Sequence, residues 1–419
     1  MSSTPALQRR LGTADAVFIG LGSMIGAGVF AAFTPAAQAA GNGLLVGLIV
    51  AALVAACNAL ASAQLAAAYP TSGGTYIYGR EQLGPWWGFL AGWSFVIGKT
   101  ASCAAMALTF ASYAAPAGWE RPVAAVAVVA LAAVNYRGVT RTAQLARVIV
   151  VLVLVALAVA VAATASTGLP HLAELGTSSI IAHGPYGILQ SAGLLFFAFA
   201  GYARIATMGE EVREPSRTIP RAVIIALSIT IVVYAVIAVS LLGALGPDGL
   251  AASTAPLREA AAAWPWTGPV VTVGAALASL GALLALIAGI GRTSLAMARE
   301  GDLPRWLAAV HPRFQVPHRA EVVLAVVVVA LVLTVDLRGA IGFSSFGVLL
   351  YYFVANVSAF SQKREARMLP RAVFVVGALA CLLLVATLPL VAIVGGLIVL
   401  ALGIVFRLVF RHAIRRREA

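Results

Sequence analysis

Lys99 stands where a charged side chain is costly. Of the 28 Lys and Arg residues only two are Lys, and this one interrupts an otherwise uncharged apolar stretch at 85–113. A charge held at membrane depth is expensive and is usually tied to function. Withdrawal from water disfavours the ammonium form of a lysine, so such a group is able to take up and return a proton. A permanently charged lysine would instead serve as a resident cation, or pair with a carboxylate of a bound molecule. Gly98, Thr100 and Ser102 leave room and polar partners beside it. The plainer alternative is a lysine that reaches a watery vestibule and has no mechanistic part.

The second chemical feature is backbone rather than side chain. Residues 20–30 read GLGSMIGAGVF, with glycines at 20, 22, 26 and 28, and residues 196–204 read FFAFAGYAR. Glycine lowers helix stability and permits unwinding. Unwound backbone bares N–H and C=O groups, tolerable in a bilayer only where they line a cavity or bind something. A glycine-rich apolar helix can also be no more than a close-packing face. Arg204, just after the second segment, is the other charge within an apolar stretch. Convergent Ser/His, Cys/His or paired-carboxylate groups of the kind an embedded enzyme needs are not visible, and no histidines have helical metal-ligand spacing. Asn58, Gln64 and Asn356 suit interhelical hydrogen bonds. Tyr351 and Tyr352 are adjacent, so both cannot face one cavity. The scattered Cys57, Cys103 and Cys381 read as small core residues.

These residues lie in a chain that is 61% hydrophobic and 10% charged, with a mean hydropathy of +0.97, the composition of a polytopic membrane protein. A spanning helix needs about 20 apolar residues. The uncharged interval 16–79 divides at the Gly41-Asn42-Gly43 turn into two spans. Others follow at 85–113, 122–136, 148–166, 186–209, 222–245, 268–291, 322–335 and 341–360. The last interval, 372–406, divides at Thr387-Leu388-Pro389, making twelve. The first apolar stretch has no cleavage signature and is expected to stay in the membrane. With the N-terminus inside, 23 of the 28 basic residues fall on inner loops, and only Arg121, Arg258 and Arg338 on outer ones. That bias sets orientation. The formal charge of +13 then reads as orientation and attraction to anionic headgroups, not nucleic-acid binding. No Asp or Glu falls in the middle of a span. The two glycine-interrupted segments are helices one and six, the first members of two five-helix halves, which is how inverted-repeat transporters mark their binding site.

The GSMIGAGVF string with Pro35 soon after resembles the first helix of the amino acid/polyamine/organocation transporters. PTSGGTYIYGREQLG at 70–84 resembles their second-to-third helix connection. GEEVREPSRTIPRA at 209–222 resembles the loop after their sixth helix, above all in the cationic amino acid branch, and SLAMAREGDLP at 294–304 the end of their eighth. The resemblance implies the leucine-transporter architecture: inverted repeats at 14–167 and 186–360, two further helices at 371–409, and alternating access around a central site. It implies a substrate carboxylate on the N–H groups of Ala27 and Gly28, consistent with the anion preference of a helix N-terminus. The substrate ammonium would meet carbonyls of Met24, Ile25, Phe197 and Ala200. Ser23, Gly26 and Gly201 complete the substrate-binding set, with Phe197 or Phe199 as the aromatic gate.

Where the cationic branch places an acidic residue two positions after the helix-six glycine, this chain has Ala203, then Arg204. A cationic substrate side chain would find no buried counter-charge and a possible cavity charge of its own sign in Arg204, so neutral or acidic amino acids are expected. The family contains members in which a lysine replaces sodium, but on helix five; Lys99, on helix three, is matched to them by role alone. The expectation is a proton-coupled amino acid permease of a prokaryotic inner membrane, both termini cytoplasmic, with no cofactor, metal or obligatory protein partner. An amino acid exchanger and a non-transporting amino acid sensor are the alternatives.

Overall fold

A computed structural model describes residues 10–70, 73–138 and 143–418, with side chains described as far as Val409. Arg9, Thr71, Ser72 and Arg141, used above, lie outside them. Among the described residues the chain is helical, with one isolated β-bridge. Its helices are α1 (Thr13–Met24), α2 (Ala27–Ala31), α3 (Phe33–Ala40), α4 (Leu44–Ala68), α5 (Thr75–Leu83), α6 (Pro85–Ala114), α7 (Glu120–Tyr136), α8 (Ala143–Ala165) and α9 (Thr177–Ile180). Then come α10 (Gly184–Phe199), α11 (Ala203–Ala206), α12 (Pro215–Ala252), α13 (Pro256–Ala260), α14 (Thr267–Arg299), α15 (His318–Thr334), α16 (Leu337–Ser361), α17 (Arg371–Thr387) and α18 (Leu390–Glu418). Nine helical stretches among the described residues are long and apolar enough to cross a membrane, so the protein is a polytopic membrane protein. Helices α7, α15 and α17 have 17 residues each, about 25 Å at 1.5 Å per residue, just short of a bilayer core of about 30 Å.

The expected turns occur. Gly41–Gly43 is a 3-10 turn, with Gly41 at φ 53°, between α3 and α4. The chain also breaks between Thr387 and Leu390. Within α12, Gly246 at φ 67° kinks the helix just before Pro247. The two interruptions singled out above differ in depth. Between α1 and α2, Ile25 (φ −80°, ψ 51°) and Gly26 (φ −101°, ψ −137°) leave helical geometry altogether. After α10 the chain only tightens into a 3-10 turn at Ala200–Tyr202 before α11. The second segment is thus a tightened joint rather than an open gap.

Burial separates centre from rim. In the most apolar window of α6, 83% of residues are buried, against 22% for α18. Helix α6 packs on α16 through Gly98 and Gly347, where a Cβ on Gly347 would stand 2.6 Å from the Ser94 carbonyl oxygen. The α1–α2 and α10–α11 segments cross at two similar points. A Cβ on Gly28 would lie 2.6 Å from Ala198 Cα, and one on Gly201 would overlap the backbone of Ser23 and Met24. Backbone therefore meets backbone at both joints, an approach only glycine allows.

On the side expected to be cytoplasmic, α5, α6, α14 and α18 meet at a buried cluster of charges. Asp302, just past α14, takes Nε (2.9 Å) and Nη2 (2.8 Å) of Arg407, the Tyr76 hydroxyl (3.0 Å) and Arg80 Nη1 (3.5 Å). Arg80 also pairs with Glu300 at 2.7 Å. The Arg407 guanidinium lies between the rings of Trp86 (4.3 Å) and Phe89 (4.6 Å) and donates to the Pro85 carbonyl. Burial and the Asp302 carboxylate push the Tyr76 phenol above its ordinary range, so it acts as a neutral donor. Two features differ from the sequence reading. Arg407 does not face headgroups; it is fully buried, and because its charge is satisfied inside the protein, α18 continues past the expected end at 406. Glu321, just before the expected span 322–335, lies inside α15 at 3% exposure.

Gly201→Ala should destabilise the protein by at least the about 1–3 kcal/mol typical of an overpacked site, read as a lowered unfolding temperature in detergent. Asp302→Asn, which takes the carboxylate charge away from the buried Arg407 guanidinium, should cost about 3–5 kcal/mol in the same assay. Substitution of exposed Glu214, whose distance to Arg217 is 3.8 Å, should change it by less than about 0.5 kcal/mol.

Candidate substrate site

The joint of the first segment carries the open backbone. The N–H groups of Ala27 and Gly28 begin α2 and have no partner within it; both residues are fully enclosed. Ala32 keeps helical geometry, so α2 and α3 run on as one bent helix whose positive end points at the break. Met24 closes α1 from the other side and Ile25 lies between, with 1% and 2% exposure. Ser23 returns its hydroxyl to the Ile19 carbonyl one turn back, at 2.9 Å.

Lys99 enters from α6. Its Nζ lies 3.4 Å from the carbonyl oxygen of Ala200, the first residue of the tightened joint. The Tyr352 hydroxyl donates to the same oxygen at 3.3 Å. A carbonyl at the end of a helix carries its negative dipole end, so a cation there is electrostatically placed. Beside Lys99, Ser102 shares a 2.6 Å hydrogen bond with Ser344 of α16, while Thr100 donates to Val96 within its own helix.

Tyr234 of α12 spans the two joints. Its hydroxyl is 2.6 Å from the Met24 carbonyl oxygen and 3.0 Å from that of Ala198, able to donate to one at a time. Phe199 packs edge-on against this tyrosine at 5.0 Å and is fully buried, whereas Phe197 on the opposite helix face retains 8% exposure. Arg204 lies further along, at 3.5 Å from Glu211 and 3.2 Å from the Thr207 hydroxyl, so its charge is answered at the rim of the joint. The neighbouring segment is pinned there: Leu11 N–H donates to Glu211, Arg213 N–H donates to Leu11, and Asp15 pairs with Arg147 at 2.7 Å.

The structure thus gathers Met24 to Gly28, Phe197 to Gly201 and Lys99 around one place, and holds Arg204 to its side. Of the tyrosine pair weighed for the cavity it is Tyr352 that reaches the joint, whereas Tyr234 was not singled out; a tyrosine within an apolar helix has no sequence signal that separates it from a packing residue. Tyr351 and Tyr352 pack ring against ring, edge-on at 5.2 Å, but their hydroxyls go to different partners, Tyr351 accepting from the Thr75 N–H at 3.0 Å. Asn58 and Asn356 pair at 2.6 Å, and Gln64 with Gln362, as interhelical bonds.

A family model described as amino acid permease matches residues 11–410. The chain is 58% identical to a Mycobacterium tuberculosis (strain H37Rv) protein described as an uncharacterized transporter, covering 97% of this chain and 93% of the relative. It is 26% identical to the branched-chain amino acid permease BcaP of Bacillus subtilis, over 96% and 93% of the two chains. It is 27% identical to the chloroplastic cationic amino acid transporter 7 of Arabidopsis thaliana, over 84% of this chain and 65% of that one. With a membrane-embedded helical fold, broken backbone at its centre and this match from end to end, the chain belongs to the amino acid permease family of transporters.

Proposed function

We propose that the protein takes up a neutral amino acid together with a proton, alternating between outward- and inward-facing states around the joints of its first and sixth spans. The observation that carries this reading is the Lys99 ammonium on the Ala200 carbonyl, the single bond between a buried titratable cation and the tightened joint. Protonated, Lys99 ties α6 to the negative end of α10, the place a coupling cation would take. Deprotonated, it releases that carbonyl and loosens the joint. The substrate carboxylate binds the N–H groups of Ala27 and Gly28. Its ammonium takes the carbonyls of Ile25 and Phe197, since Met24 and Ala200 already accept from Tyr234 and Lys99. Ile25 and Phe197 offer the side chain an apolar wall, Phe197 acting as the gate; the name of the BcaP relative is in keeping with an aliphatic substrate.

On this reading α1–α3, α4, α6, α7 and α8 make the first inverted repeat, α10–α11, α12, α14, α15 and α16 the second, and α17 and α18 follow, twelve spans in all. The 17-residue helices are accommodated by local thinning or by flanking residues. The excess of basic residues on one set of loops supports a cytoplasmic side for both termini.

Purified protein in liposomes, given a panel of labelled amino acids, should accumulate neutral ones when an inward proton gradient is imposed. Stimulation by sodium and not by protons would reject the coupling ion, and counterflow without net uptake would favour an exchanger. Lys99→Ala should lower gradient-driven uptake about tenfold or more, the effect of losing a charged hydrogen bond of ~1.5–3 kcal/mol, and flatten its pH dependence. An unchanged pH profile in that variant would return Lys99 to a passive vestibule residue.

A further inference from the structure

Away from the joints, α7 and α15 enclose a cavity of ≈ 690 Å³ at the ends of these helices that carry Arg137 and Glu321. Its wall is apolar and continues onto outward-facing valines: Val129 is 57% exposed, Val322 51% and Val326 64%. In a membrane-spanning bundle such faces meet acyl chains, so the cavity opens toward lipid. Among the described residues its polar end holds the exposed Arg137 guanidinium, the Tyr136 side chain and the Glu321 carboxylate. The Glu321 stem lies against Gly291 of α14, and its Oε1 is on that side. Its Oε2 is buried and has no hydrogen-bond partner. Among the described residues no cation comes within ion-pair distance of it, and Arg292 acts on it only through space. A buried carboxylate oxygen without a donor is costly.

We propose that this groove is a binding site for one phospholipid whose headgroup carries a primary ammonium next to its phosphate. The phosphate meets Arg137, the ammonium supplies the donor that Glu321 Oε2 lacks, and an acyl chain follows the valine wall. The pairing of opposite charges in one pocket argues for a zwitterion. An anionic lipid would satisfy Arg137 and be repelled by Glu321, whereas a trimethylated headgroup has no N–H to donate.

The test is native mass spectrometry of the detergent-purified protein with phosphatidylethanolamine, phosphatidylglycerol and phosphatidylcholine of identical chains. The expected result is a preference of about tenfold for the ethanolamine lipid over both others, the discrimination a charge-assisted hydrogen bond provides. Glu321→Gln should abolish the preference while leaving general lipid retention intact. Val326→Trp, which fills the groove and leaves the carboxylate in place, should reduce retention of the ethanolamine lipid at unchanged monodispersity. Equal retention of the three lipids, a preference for phosphatidylglycerol, or a preference that survives both substitutions would overturn the assignment.

Discussion

The contact on which the centre of this protein depends is between two backbones. At Gly201 the tightened joint lies directly on the peptide of Ser23 and Met24, and at Gly28 the restarted helix lies on Ala198. Side chains elsewhere in the bundle hold helices about 8–10 Å apart. Where two glycines remove that spacing, carbonyls and N–H groups from both segments come within reach of one small molecule. Tyr234, bonded to either side, and Lys99, bonded to Ala200, are arranged around this approach. Move the crossing apart and neither residue keeps the geometry of these bonds.

A different principle holds the opposite end. There the link is electrostatic, with Arg80, Glu300 and Arg407 among the charged groups gathered around Asp302 and the Arg407 guanidinium packed against two aromatic rings. Buried ion pairs cost desolvation and contribute geometry more than net stability. Their use here joins α18, otherwise the least enclosed of the long helices, to α5 and the end of α14. The cluster adds a polar anchor to contacts that α18 makes further along, where Trp93 Nε1 donates to the Val399 carbonyl at 3.0 Å and Gly396 and Gly403 lie against Phe346 and Trp93.

Some of this was legible in residue order and some was not. Glycines at 26, 28 and 201 could be read because two interrupted segments recur at equivalent places in the two halves, although close packing alone would also account for either, and Lys99 because a charge among apolar neighbours stands out by itself. Turns at Gly41 and Pro389 follow from local backbone limits. Arg407 was read as a loop residue, and the expected span began one residue after Glu321, for a common reason. A charge at the edge of an apolar run looks like the end of a span, and only tertiary partners or a buried setting reveal that the helix carries it inside. Tyr234 is invisible for the converse reason, since burial of a phenol in an apolar helix leaves no trace in hydropathy. The depth of the two interruptions was also hidden: both contain glycine, yet only Ile25 and Gly26 leave helical geometry, while Ala200–Tyr202 stays close to it.

The small bridge between Leu11 and Val212 has a mechanical meaning larger than its two hydrogen bonds. It stitches the chain just before α1 to the chain just after α11, so the halves of the two broken segments that lie on that side share one seam. With Asp15 fastened to Arg147 on α8, this seam is tied to a third element. Any hinge that swings one of these half-helices must drag the other along, or first unzip the strap, and the pair is geared to turn as a single lever.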